Sequence, residues 1–533
     1  MSTPAAGQGS RRPSRGRAFA LAVVALSALG VAWVVSARPP LGVPGQYVYP
    51  YRPAPPWGML ALLALLGLPL AGGWAYALVG GGPPSRRAEW AAVGALTLGS
   101  LVLHVGTACL PKLYTGAELM WPFVWQNTEG SYAHEAGDVA SARRFVSNYA
   151  HWLEVSPVPN TPRWVHIHHP QVHPPGPILA FVGLESFFRA RPGLAAGITD
   201  WAERDLPSSK VLDQGEDESR LHSHPAATAL TLAFLAVAIA SLAPLACYLA
   251  VRPLWPRVPS LVAAGLTALV PGTHLFSPSF DQAYPVLTLL LVACGVRAIL
   301  RRSWAWGAAF GGVLYGLAFF HIGFGLVAAS LALTTLLAWR AGQSPLGPRE
   351  AVCGYWRPVA AAALAFLTLA ALLQVSLGYP TFRVICMCLR NNALFNAAAG
   401  RTWWPWVAVV PFEFAVSLGF GLALVVLGGW LAEVVGAIRS RCVRGRSALL
   451  LAPVALLAAL DILGMNRGET ARLWLFLTPL LVLGAVDYVW RRAREPRHVF
   501  ARLGAAQALQ VLAFAIVLDL GWTTTFMVRL LGH

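Results

Sequence analysis

Long apolar runs recur along almost the whole chain, separated by short segments rich in arginine, proline or aromatic residues. The runs are neither the period-two alternation of half-buried strands nor the one-sided stripe of a surface helix. They are apolar on every face, as a helix in lipid must be. A bilayer core takes roughly 20 apolar residues per helix, and about thirteen segments meet or approach that length. They are 18–36, 57–80, 88–110, 226–251, 258–276, 281–300, 304–320, 322–339, 358–378, 405–430, 447–464, 471–490 and 501–525. The stretch 303–339 is long enough for two spans, with His321-Ile322-Gly323 at the turn between them. The fold class expected is therefore an all-α polytopic integral membrane protein.

Composition supports this reading. Of 533 residues, 56% are hydrophobic and only 12% charged, too few charges to coat a soluble protein of this length. The formal net charge of +17 raises the question of nucleic acid. The arginines lie in small clusters between apolar runs and form no continuous basic face, so a nucleic-acid partner is not expected. Lys112 and Lys210 are the only lysines, and the preference for Arg together with abundant Ala, Gly and Pro fits a bacterial source.

The arginine clusters orient the chain. With the N-terminus in the cytoplasm and strict alternation, Arg86/Arg87, Arg252/Arg257, Arg297/Arg301/Arg302, Arg340/Arg349/Arg357, Arg439/Arg441/Arg444/Arg446 and Arg491/Arg492/Arg494/Arg497/Arg502 all fall inside, as does the basic N-terminal tail. A miscounted span would have turned some of these clusters outward, so the positive-inside rule supports the map. It yields a cytoplasmic tail at 1–17, three spans within 18–110, a large extracytoplasmic loop at 111–223, and about ten more spans with short loops in 224–533. The location expected is the bacterial inner membrane. Further outer segments are 277–282, 379–404 and 465–470. Within the large loop, the apolar stretch Pro177–Phe188 is too short to span and reads as a helix lying along the outer interface. Asp200–Arg220 reads as an exposed acidic loop.

The polar chemistry gathers on the outer face. Glu135 and Asp138, in Tyr132-Ala133-His134-Glu135-Ala136-Gly137-Asp138, are spaced i, i+3 and share a face of any helix there. Paired carboxylates deprotonate a hydroxyl or hold a divalent metal. As ordinary loop acids they would simply be solvated. Nearby Trp121, Trp125 and Tyr132 favour the first reading, since aromatic platforms suit sugars. His166, His168, His169 and His173 crowd into eight residues ending in His173-Pro174-Pro175-Gly176. Imidazoles in this number bind a metal, contact a phosphate or move protons, or stand incidentally in a proline-stiffened loop. Prolines exclude a continuous helix here. The late segment Asn466-Arg467-Gly468-Glu469-Thr470-Ala471-Arg472-Leu473-Trp474 puts Glu469 and Arg472 at i, i+3 at the mouth of a span, where charge is costly unless paired or functional. Arg467 and Arg472 have the geometry to clamp a phosphate. Asp281 adds another acid at an outer span end. Glu413 and Asp519 are apolar-segment acids with no evident partner.

These segments resemble the C-type glycosyltransferases, membrane enzymes that use polyprenyl-phosphate sugars, with protein O-mannosyltransferases and lipid A aminoarabinose transferases among their members. Glu135/Asp138 match the family's loop acid in position and type. His173-Pro174-Pro175-Gly176 resembles its Pro-Pro motif, and 466–474 a late outer-face segment of bacterial members. The large loop here follows the third helix, whereas the family's usually follows the first, and it carries no Asp-x-Asp.

The resemblance implies transfer of a single sugar from a polyprenyl-phosphate donor to a lipid, glycan or protein acceptor at the extracytoplasmic face. Glu135 or Asp138 would be the base. Arg467 and Arg472, with Glu469 and Asp281, would surround the donor phosphate, and the histidines would position it or hold an optional divalent metal. The alternative is a transporter or flippase of lipid-linked sugars or other amphiphiles. That reading wants polar residues lining both membrane halves and internal repeats, and neither is visible. A zinc enzyme built on the histidine segment would want His-Glu-x-x-His on a helix, which is missing.

Overall fold

A computed structural model describes residues 15–52, 55–79, 85–109, 117–124, 129–154, 169–205, 225–340, 348–441, 443 and 445–519. Among them, nine helices are long and apolar enough to cross a membrane: Ala18–Ala37, Arg86–Cys109, Ala226–Val251, Arg257–Leu275, Asp281–Arg301, Trp356–Leu377, Phe420–Ser440, Thr470–Arg492 and Pro496–Val517. Trp57–Leu66 and Leu68–Val79 form a further apolar pair, bent by 51° at Gly67. Trp304–Phe320, Phe324–Ala338, Trp403–Leu418 and Ala448–Ile462 are apolar but shorter. The chain is a multi-pass helical membrane protein.

Burial separates the helices into a centre and a rim. In the apolar stretches of Arg257–Leu275 and Thr470–Arg492, 94% and 83% of the residues are buried, against 11% in that of Trp356–Leu377, which presents Leu364, Leu367 and Leu372 outward. In lipid an outward Leu is already solvated, so helices associate through close packing and not through hydrophobic expulsion. Gly307 and Gly311, one turn apart, illustrate it. A Cβ at either would run into the backbone of Pro358 or Ala362, so these glycines let Trp304–Phe320 lie directly on the helix Pro348–Leu377.

Several expectations are refined. The stretch 303–339 divides as expected, with His321 in extended conformation closing one helix and Phe324 opening the next. The single span expected at 405–430 is broken: Trp403–Leu418 ends at Gly419, whose φ of 97° no L-residue adopts comfortably, and Phe420–Ser440 starts afresh. The Nε2 and Oε1 atoms of Gln507 and Gln510 satisfy backbone groups that this break leaves open: Gln507 donates to Leu418 O at 2.9 Å and Gln510 accepts from Phe420 N at 2.8 Å. The expected interfacial stretch 177–188 is a helix, Gly176–Arg189, with Pro177 in its first turn where no N–H is needed. The expected acidic loop is helical over its first part, within Pro192–Asp205, and the rest of it lies outside the described residues.

A two-stranded hairpin between the first two apolar segments was not expected. Leu41–Val43 pairs antiparallel with Tyr47–Tyr49. Its turn, Val43-Pro44-Gly45-Gln46, places Pro at the second position and Gly45, φ 80°, at the third, as a type II turn requires. Gln46 carries the hairpin onto the segment 402–406, accepting from Thr402 N at 2.8 Å and Trp406 Nε1 at 2.9 Å.

Candidate functional site

Three segments distant in sequence meet at one end of the bundle. Glu129 precedes the helix Gly130–Gly137; Asp281 follows the loop after Pro271–Leu275; Glu469 and Arg472 lie at the start of Thr470–Leu473. Arg472 is the hub. Its Nε is 3.3 Å from Asp281 Oδ2, its Nη2 2.7 Å from Glu469 Oε2, and its Nη1 4.0 Å from Glu129 Oε1. All three acids are largely shielded from solvent, with side-chain exposures of 8%, 24% and 4% respectively. Burying this much charge is tolerable only because the guanidinium offers several donors in one plane. Glu129 also accepts from Phe280 N at 3.2 Å, which ties the early segment to the Asp281 loop.

The electrostatics distinguish these acids. Burial, then the neighbouring Asp281 charge, push the Glu129 carboxyl above its ordinary range, against the pull of Arg472 and the Phe280 N–H. For Glu469, burial acts in the same direction, but Arg472, Arg401 and His169 outweigh it and hold the group below its ordinary range. Thus Glu469 is the standing counter-ion of Arg472, and Glu129 holds its proton more tightly than an ordinary carboxyl. Glu469 adopts a left-handed backbone, φ 58°, after Gly468 at 92°, a conformation that costs a side-chain-bearing residue about 1–3 kcal/mol. The bond to Arg472 helps hold it there.

Glu413, fully buried, supports the same corner. It accepts from Ala471 N at 3.1 Å and Thr470 Oγ1 at 3.3 Å, satisfying donors at the start of the Arg472 turn. The acid that had no evident partner in sequence is thus a positioning residue. Asp519 likewise has one, Arg52, at 3.7 Å.

Aromatic and imidazole rings pack against one another beside the acids. His169 lies in the turn His169–Val172, with Nδ1 3.3 Å from Ser131 Oγ. Its ring is 4.8 Å from that of His173, which is 5.6 Å from that of His321. Tyr132 packs on His169 and His173, and Tyr284 on His321. Burial, followed by the Arg472 charge, lowers His169 to about 4; burial and its histidine neighbours lower His173. Both are therefore neutral near pH 7, so they donate or accept single hydrogen bonds and do not act as cationic phosphate clamps.

The structure thus unites Asp281, Glu469, Arg472, His169 and His173. His166 and His168 lie outside the described residues. Glu135 is half-buried and Asp138 exposed on Gly130–Gly137 and just beyond it, while the ion pairs of Arg472 go to Glu129, Asp281 and Glu469. Arg467 sits to one side: its Nη1 donates to Arg401 O at 3.0 Å, Arg401 Nη1 returns a bond to Arg467 O at 2.6 Å, and Arg401 stacks on Tyr47 and Phe395. Among the described residues no group of three or more His, Cys, Asp or Glu forms a metal-holding set; the carboxylates surround a guanidinium instead. Glu129 and His321 were missed in sequence. Glu129 stands three residues before Tyr132 in the same aromatic-rich segment, a weak i, i+3 signal, and His321 offered none beyond marking a turn.

Fold and site define a multi-pass helical membrane protein with a buried, arginine-centred acidic cluster beside a group of imidazole and tyrosine rings at one end of the bundle. No protein-family model matches the sequence, and no curated protein matches it. Among solved structures, it is similar to an oligosaccharyltransferase of Archaeoglobus fulgidus, crystallised with zinc and sulfate, at a TM-score of 0.35 and 13% identity. The match covers 77% of this chain and 53% of that one, so the chain spans about half the length of that protein.

Proposed function

We propose that this protein is a membrane glycosyltransferase that moves a sugar from a polyprenyl-phosphate donor to an acceptor hydroxyl at the extracytoplasmic face. The observation that carries the reading is Glu129: a buried carboxyl, raised above its ordinary range, held beside Asp281 and within reach of Arg472. A base for a sugar hydroxyl works best when its own proton affinity lies near the working pH.

In this reading the acceptor oxygen attacks the anomeric carbon, and the bond from that carbon to the phosphate oxygen breaks. The polyprenyl phosphate leaves with the bonding electron pair, and the acceptor proton passes to Glu129 or Asp281. Arg472 keeps the carboxylates in register, and its field steadies the negative charge that develops on the leaving group. Neutral His169 and His173 and the Tyr132 ring supply single hydrogen bonds and a flat apolar surface, which suit a sugar ring. The pairing of Arg472 with three carboxylates favours a positioning role for it over the phosphate clamp expected from sequence. Glu135 and Asp138 remain candidates for binding the acceptor at the mouth of the site.

The test is label transfer by purified protein in lipid, from radiolabelled polyprenyl-phosphate sugars to candidate acceptors, compared with the double variant Glu129→Gln, Asp281→Asn. Transfer by the native protein and its loss in a folded double variant support the reading; transfer undiminished in the double variant sinks it.

A further inference from the structure

A second polar cluster lies at the opposite end of the central helix that carries Arg472. From Arg472 to Arg492 that segment advances about 30 Å, the thickness of a bilayer core. There Glu433 accepts from Ser447 Oγ at 2.6 Å and from Arg492 Nη2 at 3.2 Å, and pairs with Arg491 at 3.5 Å. Asp487 pairs with Arg491 at 2.6 Å and Arg446 at 3.8 Å. Two carboxylates are thereby shared among three arginines. Arg439 and Arg441, nearly two turns past Glu433 and beyond, are exposed and make no ion pair among the described residues.

A cavity of ≈ 280 Å³ opens beside this cluster, lined by Glu433, Gly436, Arg439, Ser440, Tyr488 and Arg492. With Glu433 already shared between Arg491 and Arg492, Arg439 leaves the cavity with an excess of positive charge. Directly next to it, on the same helix, Leu427, Leu431, Val435 and Ile438 form a stripe at spacings of four, four and three residues, each 43–71% exposed. A cationic cavity that continues into an apolar, outward-facing stripe along a membrane helix is complementary to a molecule with an anionic head and a hydrocarbon tail.

We infer that this cavity binds the phosphate headgroup of an anionic phospholipid from the leaflet on that side, with an acyl chain laid along Leu427, Leu431 and Val435. Basic pockets between helices on the arginine-rich side of a membrane protein suit such headgroups. The site is separate from the Arg472 cluster and does not depend on the proposed transfer reaction. A soluble phosphate would use Arg439 and Arg492 equally well but would have no use for the apolar stripe, and this favours lipid as the source.

The experiment is native mass spectrometry of the full-length protein titrated with phosphatidylglycerol or phosphatidylcholine, with two single variants. Arg439→Gln removes an exposed charge. Gly436→Leu fills the cavity: an added Cβ there meets no atom within 4 Å, and the helix gains from losing a glycine. The native protein is expected to retain phosphatidylglycerol over phosphatidylcholine, Arg439→Gln to weaken that retention about fivefold, and Gly436→Leu to remove the preference. Equal retention of the two lipids by the native protein, or native-like preference in both variants, overturns the inference. Full displacement of phosphatidylglycerol by millimolar inorganic phosphate overturns the choice of a lipid.

Discussion

Arg472 Nε lies 3.3 Å from Asp281 Oδ2, joining the N-terminal ends of the spans Asp281–Arg301 and Thr470–Arg492. That one contact brings the late motif 466–474 against the loop after Pro271–Leu275, and Glu129 joins them through Phe280 N. The candidate chemistry rests on this junction.

Removing one carboxylate at a time separates base from support. Glu129→Gln is expected to lower label transfer by about 10²–10⁴-fold, the usual contribution of a positioned proton acceptor, with little change in donor binding. Glu469→Gln, which alters only the standing counter-ion, is expected to act mainly on stability. Initial rates and thermal unfolding of the two variants check the distinction; equal rate losses in both would remove Glu129 from its special role.

The pH dependence has opposite signs for activity and stability. A base with a raised proton affinity becomes competent only as pH climbs above the ordinary carboxylate range, so transfer is expected to rise with pH across that window. Folding linkage runs the other way. The folded state binds the Glu129 proton more tightly than the unfolded state does, so this group's contribution is fully present below its unfolded value and is lost as pH rises through the folded one. With His169 lowered to about 4, the rate profile should show no histidine limb between pH 5 and 8. Rate profiles of the native protein and Glu129→Gln decide the matter.

Deleting the hub should be costly. Arg472→Ala strands three buried carboxylates, and breaking a buried pair from one side typically costs about 3–5 kcal/mol. Adding Glu129→Gln and Asp281→Asn to Arg472→Ala is expected to recover part of the loss, since a neutral amide needs no counter-charge. Thermal unfolding in one fixed detergent gives the comparison. A more stable Arg472→Ala would mean that the cluster is not paired as described.

The close helix contact at Gly307 and Gly311 gives a test independent of chemistry. Gly307→Leu or Gly311→Leu pushes its helix off the backbone of Pro358 or Ala362 and is expected to destabilise the fold by about 1–3 kcal/mol or more. Gly316→Leu, on the same helix but with open space at its Cβ, is the control and should be nearly neutral.

Orientation can be read directly. With exposed Cys386 replaced by Ser, a cysteine at exposed Asp138 is expected to react with a membrane-impermeant maleimide in intact cells, and one at exposed Arg441 only after permeabilisation. The reverse pattern would put the acidic cluster in the cytosol and remove the proposed extracytoplasmic reaction.

Much of the architecture was legible because lipid imposes a length. A helix that must cross hydrocarbon announces itself as an uninterrupted apolar run, as 226–251 and 281–300 do. Backbone breaks inside such a run are less visible. Gly419 is one glycine among 50, and what makes it a break is the pair Gln507 and Gln510, waiting on another helix to satisfy the groups it leaves open. The hairpin at 41–49 was hidden for a similar reason: its strands are three residues each, and it is anchored through Gln46 to a segment far along the chain.

The candidate site divides along the same line. Glu469 and Arg472 stood out because i, i+3 spacing is local, and Asp281 because a charge at the end of an apolar run is conspicuous. Glu129 carried only a weak mark, its spacing from Tyr132, while Glu135 and Asp138 stood out as an acidic pair, although Arg472 takes its ion pairs elsewhere. By itself the sequence determined that the chain is a many-helix membrane protein with its arginines banded between spans, because hydrocarbon rejects charge wherever it falls. Which acids face one guanidinium, and which histidines are dry enough to stay neutral, only the tertiary structure decided. Burial and charge pairing arise between segments, and no local pattern encodes them.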